Sequence, residues 1–150
     1  MGQSFSRVCV HITFSTKNRV PLIDDNIRHE LWAYMGGICN ALECQIIRVG
    51  GHNDHVHICC FLSKKITQIK LLEEIKKESS AWVKTKGRQY SDFFWQDGYG
   101  IFSVNPSEIE KVVEYLGNQH EHHKKRTFQE ELLAFLKKYK VEYDERYIWN

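Results

Sequence analysis

Two segments place apolar side chains at every second position, which predicts β-strands with one buried face. In residues 7–14 the apolar set is Val8, Val10, Ile12 and Phe14. In His55–Leu62 it is Val56, Ile58, Cys60 and Leu62. Because side chains along a strand point alternately to opposite faces, the intervening His11, His55 and His57 are expected together on the other face.

Four further segments carry apolar residues at helical spacing. They cover residues 24–43, residues 67–83, a stretch that begins at Pro106 and includes Tyr115 and Gln119, and a stretch that begins near Thr127. Asn105 with Pro106, and Thr127 with Glu130, have the residue types that begin a capped helix. Two shorter segments, residues 44–49 and the end of residues 95–104, are predicted to be strands.

The predicted order is strand, helix, strand, strand, helix, strand, followed by two more helices. This is the split β-α-β order of a ferredoxin-like α+β fold, with an antiparallel sheet and helices on one face. We predict one domain over residues 1–150, to which the C-terminal helices are additions. The second face of the sheet, which would carry Arg7, His11, His55 and His57, is predicted to be open for function.

The composition excludes several classes of protein. Apolar residues make up 42% of the chain and charged residues 27%, which is a globular balance. No apolar run approaches the roughly 20 residues of a membrane helix, and the N-terminus lacks the apolar core of a signal peptide. A cytoplasmic location is therefore expected. The 5 cysteines include no C-x-x-C pair, which predicts reduced, mostly buried thiols. A net charge of +2 is too small to indicate nucleic-acid binding.

The candidate chemistry lies in two places along the chain. His55 and His57 are two residues apart on a strand, so both imidazoles can reach one cation. Tyr115 and Gln119 are four residues apart, so on a helix a phenol would lie one turn from an amide oxygen. Each pair also has an ordinary structural explanation, as half-exposed histidines or as a half-buried tyrosine beside a surface glutamine. Together they predict a divalent ion with open positions for a phosphate and a tyrosine nucleophile.

The sequence resembles insertion-sequence transposases of the single-tyrosine HUH class, in which two histidines flank a hydrophobic residue. Residues 54–58, DHVHI, are similar to the histidine motif, and Tyr115-x-x-x-Gln119 is similar to the nucleophile and third metal ligand. Segments of matching character are residues 11–19, 95–100 and 118–125. The resemblance runs from about Phe5 to about Tyr147, nearly the whole chain.

The resemblance implies a specific activity and specific partners. Tyr115 would be the nucleophile, and His55, His57 and Gln119 would bind Mg²⁺ or Mn²⁺. The substrate would be single-stranded DNA with hairpins near the ends of a mobile element, cut to give a 5′-phosphotyrosine and rejoined. A homodimer is implied, and in some relatives the tyrosine helix of one subunit completes the other subunit's site.

Other residues are weaker candidates. DNA contacts are expected from His11. They are also expected from the loop residues Lys17, Asn18 and Arg19, and from the basic cluster Lys124, Lys125 and Arg126. His52 and Asp54 are candidates to support a metal ligand from behind. His120, His122 and His123 are predicted to form a loose surface cluster, because helical spacing spreads them around the axis.

Two alternative functions stay open on the sequence alone. One is another HUH nuclease, of the replication-initiator or relaxase type. The other is a non-catalytic nucleic-acid binding module of ferredoxin-like fold, which commonly stacks bases on aromatic side chains of the sheet. Histidines stand where those aromatics would be expected, which favours an enzyme. A purely structural metal site would leave Tyr115 without a role.

Overall fold

Four antiparallel strands form the centre of the molecule. The computed structural model describes residues 2–123 and 125–150. Its strands are Val8–Ser15 (β1), Ile46–His52 (β2), His55–Leu62 (β3) and Gly100–Ser103 (β4). They lie in the order β2-β3-β1-β4, every neighbouring pair antiparallel. The predicted α+β, ferredoxin-like order is confirmed.

Two helices cover the first face of the sheet. They are Arg28–Ala41 (α1) and Gln68–Lys84 (α2), and α2 begins where the Thr67 side chain accepts a hydrogen bond from the Lys70 amide. Alternate side chains of β1 and β3 pack against them, among them Ile12, Phe14, Val56 and Ile58, all fully buried. These four residues belong to the apolar set that the alternation predicts, of which Val8 is instead exposed. The main core lies between the sheet and the α1–α2 layer.

The second face of the sheet is also covered, so the predicted open face is wrong. Three helices lie on that side: Ile109–Gly117 (α3), Gln119–His122 (α4) and Phe128–Lys138 (α5). Leu116 of α3 packs with Cys9, Cys59 and Val104, while α5 packs its Phe128, Leu132 and Leu136 against Phe102. These helices pack there because burying their apolar stripes against this face of the sheet is favourable.

The helix that was predicted to carry both Tyr115 and Gln119 is interrupted between them. Helix α3 ends at Gly117, and Asn118 leaves the helical conformation with φ −102° and ψ 20° before α4 begins at Gln119. At the other end of α3, the Asn105 side chain accepts a hydrogen bond from the Ser107 amide, in a 3-10 turn that precedes the α-helix. The predicted capping box of Thr127 and Glu130 is present at the start of α5.

Gly50 brings α3 close to β2. A Cβ atom at this position would lie 2.2 Å from the carbonyl oxygen of Leu116. Only a residue without a side chain allows that approach. Gly50 therefore fixes how deeply α3, and Tyr115 with it, is seated on the sheet.

Two expectations from composition can be compared with the structure. All 5 cysteines are free and buried, as predicted. In residues 2–123 and 125–150, no helix combines the length and the apolar character that crossing a membrane requires.

Candidate active site

His55 and His57 lie at the beginning of β3 and point to the face covered by α3–α5. Both side chains are fully buried. Their ring centroids are 5.1 Å apart, as two residues of one strand on the same face should be. The predicted same-face pair is therefore present, inside the protein rather than on an open surface.

The ring of His55 is oriented by its neighbour in sequence. Its Nδ1 lies 2.7 Å from Oδ1 of Asp54, and its Nε2 lies 3.0 Å from Oε1 of Gln119. Burial acts to raise the pKa of the Asp54 carboxyl, but the hydrogen bond with His55 and the charges of His55, His123 and His52 together outweigh it, so the pKa is lowered. The Asp54 carboxylate accepts a hydrogen bond from Nδ1–H of His55. The lone pair of the His55 ring is therefore on Nε2, where it can bind an ion.

His57 has a partner on each side of its ring. Its Nδ1 lies 2.8 Å from Nε2 of His11, and its Nε2 lies 2.7 Å from Oε1 of Glu131. Burial, and then the neighbouring His57, lower the pKa of His11 to about 3, so His11 is neutral and its Nε2 can accept a hydrogen bond from the Nδ1–H of His57. The pKa of His57 is also lowered, mainly by burial.

Tyr115 extends from α3 to the same carboxylate. Its hydroxyl donates a hydrogen bond to Oε2 of Glu131, and its ring stands edge-on to His57 with centroids 5.8 Å apart. Burial raises the pKa of the phenol, and the negative charge of Glu131 raises it further. The tyrosine and the histidine pair, 58 residues apart at the closest, thus meet around one acidic side chain.

Sequence reasoning missed Glu131 and misjudged His123. Glu131 is 2% exposed, and Nε2 of His123 lies 3.0 Å from Oε1 of Gln119 and 3.4 Å from Oε2 of Glu131. The prediction that His123 belongs to a loose surface cluster is therefore wrong; the side chain of His122 lies outside the described part. The available signal for Glu131 was its place between Phe128 and Leu132, on the apolar stripe of α5, where a carboxylate would be costly without partners.

The donor atoms are spaced as ligands of one ion would be. His55, His57, His123 and Glu131 offer atoms that all lie within 4.8 Å of one another. With bonds of about 2.0–2.2 Å, neighbouring ligands of an ion lie about 3.0–3.5 Å apart. The contacts of the two histidines with Gln119 and Glu131 span 2.7 to 3.6 Å, so the residues fit a divalent cation.

The predicted DNA-contacting residues fall into three groups. His11 is 4% exposed behind His57, so its predicted place on an open surface is wrong. Lys17 and Asn18 are exposed in the turn after β1, where Arg19 donates a hydrogen bond to the Trp149 carbonyl oxygen. Lys125 and Arg126 are exposed before α5, and Lys124 lies outside the described residues.

A cavity of about 690 Å³ opens between α3 and α5 and reaches the site. The residues that line it include His11 and Tyr115 of the site, and also Phe135 and Tyr139. Lys111 and Lys138 line the same cavity, one on each helix. This combination of aromatic rings and cations suits a nucleotide chain.

Comparison with known proteins shows similarity in fold and in family. Two solved structures share the fold: a candidate transposase from Deinococcus radiodurans R1, with TM-score 0.62 and 16% identity over 79% of this chain and 96% of that one; and a REP-associated tyrosine transposase bound to a REP hairpin, with TM-score 0.60 and 15% identity over 82% and 72%. No functionally curated protein matches. Residues 4–119 match the family described as Transposase IS200 like, and because this is most of the sequence, the chain belongs to that transposase family.

Proposed function

We propose that this protein is a metal-dependent nuclease and strand transferase that cuts and rejoins single-stranded DNA at insertion-sequence ends, with Tyr115 as its nucleophile. The observation that carries the proposal is the position of the Tyr115 hydroxyl. One carboxylate, that of Glu131, links it to Nε2 of His57. A binding module without catalysis would have no use for a phenol buried against a histidine pair.

His55, His57 and Gln119 are the proposed ligands of Mg²⁺ or Mn²⁺. Two imidazole nitrogens and an amide oxygen leave positions open on such an ion. When bound, the ion would supply Lewis-acid stabilisation of a phosphate oxygen. Asp54 and His11 hold the two imidazoles in the orientation that turns Nε2 toward it.

Tyr115 is proposed to form the covalent intermediate. Its Oη forms a bond to phosphorus while the bond from phosphorus to the 3′ oxygen breaks. The phenol proton is released, and the 3′ oxygen takes up a proton from water. The products are a 5′-phosphotyrosine and a free 3′-hydroxyl. Attack by another 3′-hydroxyl reverses these steps and releases Tyr115, so rejoining needs no ATP.

The cavity between α3 and α5 supports a single strand as substrate. Phe135 and Tyr139 line it, and they would stack on unpaired bases through the ring faces that do not pack on Phe102, while Lys111 and Lys138 would offer charge to phosphates. In a duplex the bases are already stacked and paired, so they could not use those rings. By analogy with the relative bound to a REP hairpin, we propose that the strand carries a hairpin next to the cleavage site.

A homodimer in the cytoplasm is proposed on the resemblance to the HUH class. Within one chain, α3 packs on β2 and β3, which brings Tyr115 to its own His57. We therefore propose that each subunit contains a complete site in this conformation, so dimerisation would bring two DNA ends together rather than complete a site.

Covalent capture of DNA tests the proposal. The full chain is incubated with Mn²⁺ or Mg²⁺ and a pool of 3′-labelled single strands that carry a hairpin beside a randomised flank. We expect a labelled protein band that survives denaturation, because the 5′-phosphotyrosine retains the 3′ fragment. Tyr115→Phe should bind DNA without forming the band, whereas Tyr139→Phe, which changes another tyrosine of the cavity, should form it. An adduct in Tyr115→Phe, or efficient cleavage of blunt duplex, would overturn the proposal.

A further inference from the structure

We propose that Glu131 of α5 is a fourth protein ligand of the divalent ion. The inference rests on the ion site of the proposed function and extends it. Glu131 lies beyond residues 4–119, the part of the chain that matches the family. The carboxylate would therefore be a contribution of the C-terminal helices to a site whose other ligands come from the sheet and α4.

The geometry places this carboxylate among the other ligands. Its Oε1 lies 2.7 Å from Nε2 of His57 and 3.6 Å from Nε2 of His55. These are the two nitrogens that His11 and Asp54 leave free by bonding the opposite side of each ring. A lone-pair nitrogen and a carboxylate oxygen at 2.7 Å repel each other unless a proton or a cation lies between them.

The charge of the site points the same way. Glu131 is 2% exposed, and a buried carboxylate is costly unless cations or hydrogen bonds compensate for it. In the described part of the chain, histidines are its only ion-pair partners within 4.0 Å. A divalent cation held by neutral imidazoles would supply the positive charge that this carboxylate requires.

The remaining oxygen of Glu131 joins the ion site to the nucleophile. Oε2 accepts the hydrogen bond from the Tyr115 hydroxyl and lies 3.4 Å from Nε2 of Gln119. A carboxylate that ligates through Oε1 would thereby hold the phenol at a fixed distance from the ion. Glu131 would then be both a metal ligand and a positioning residue for Tyr115.

Titration of Mn²⁺ into the metal-stripped full chain, without DNA, tests this ligand. Electron paramagnetic resonance reports free Mn²⁺, so affinity is measured independently of activity. Glu131→Ala should weaken Mn²⁺ binding at least about tenfold. Removal of a residue that only hydrogen-bonds to a metal ligand already lowers metal affinity by about that factor. Glu131→Gln should fall between this variant and the wild type, because it keeps an oxygen without the charge. Glu130→Gln is the matched control: the side chain is exposed on the same helix, and glutamine preserves the capping box.

The outcomes separate the ligand from the site as a whole. Equal Mn²⁺ affinity in the wild type and Glu131→Gln, together with loss of binding in His57→Ala, would overturn the Glu131 ligand and leave the histidine site standing. No Mn²⁺ binding by the wild type would overturn both. Circular dichroism of each variant checks folding, and if Glu131→Ala unfolds, the isosteric Glu131→Gln decides.

Discussion

Nε2 of His11 on β1 lies 2.8 Å from Nδ1 of His57 on β3, and both side chains are buried. The contact fixes which nitrogen of His57 carries the proton, because a neutral His11 presents a lone pair to it. His11 thus supports one of the proposed metal ligands. It is only 4% exposed and lines the cavity between α3 and α5.

The protonation of His11 predicts how stability depends on pH in the absence of metal. The unfolded chain takes up a proton near the ordinary pKa of 6.5, whereas the folded chain resists it down to a pKa of about 3. The unfolded state binds more protons between these values, so the free energy of unfolding falls as the pH falls through that window. From pH 7 to pH 5 the contribution of His11 should fall by about 2 kcal/mol.

Urea denaturation of the chelator-treated protein at pH 7 and pH 5 measures this effect. His11→Leu should lose less stability over this interval than the wild type does, by about 2 kcal/mol. His29→Leu removes a histidine exposed on α1 and should behave like the wild type. The same loss in His11→Leu as in the wild type would show that another group titrates.

Alanine substitutions at two glycines are predicted to have opposite effects on stability, because α3 packs closely against Gly50 of β2 whereas Gly37 of α1 has open space beside it. Gly50→Ala would push a methyl group into the Leu116 carbonyl oxygen, so it should destabilise the fold by about 1–3 kcal/mol and move Tyr115. A Cβ at Gly37 on α1 meets nothing within 4 Å, so Gly37→Ala should stabilise the helix by up to about 1 kcal/mol. Thermal unfolding and adduct yield per folded molecule measure both. An adduct yield in Gly50→Ala equal to that of Gly37→Ala would contradict the seating role.

The two lysines of the cavity should contribute to DNA affinity through phosphates. Lys111→Glu and Lys138→Glu should each weaken binding of a single strand and reduce the salt dependence of log Kd by about one charge. Lys77→Glu makes the same charge change on an exposed position of α2, across the sheet, and should have a much smaller effect. Equal losses in all three variants would indicate a general charge effect instead of a strand in the cavity.

The position of Tyr115 beside its own His57 predicts that sites are complete within one chain. A mixture of Tyr115→Phe and His55→Ala chains should therefore form no covalent adduct, since neither chain holds both parts. The mixture is denatured and refolded together so that subunits can exchange. Recovery of adduct in the mixture, and in neither variant alone, would show that α3 crosses to a partner subunit.

Local patterns were sufficient to predict the first layer of the fold. The limits of β3, His55–Leu62, agree with the prediction, because strict alternation leaves only one strand register. The second strand extends further than predicted, to His52. The prediction stopped before Gly50 and Gly51 because glycines are typical of a turn. Gly50 instead pairs with His57 in the sheet, and its lack of a side chain makes room for the close approach of α3.

Most features that were not predicted from the sequence depend on contacts between residues far apart in the chain. Glu131 is 74 residues from His57, and no spacing rule connects a helix residue to a strand residue at that separation. His123 was misjudged because one continuous helix was assumed, whereas the helix is interrupted at Asn118. The covered second face was predictable in principle: α3 and α5 both carry apolar stripes, and an apolar stripe requires a surface to bury it.

The complete burial of His55 and His57 has a consequence for kinetics. A phosphate can reach an ion held by these rings only in the fraction of molecules in which the wall of the cavity between α3 and α5 has moved, and the apparent Kd for DNA equals the intrinsic Kd divided by that fraction. Helix α5 forms one wall of that cavity, and its capping box, its buried Phe128, Leu132 and Leu136 and the contacts of Glu131 with His57 and Tyr115 hold it in place. Conditions that loosen it without unfolding the sheet, such as dilute urea or moderate warming, would therefore accelerate the reaction before they abolish it.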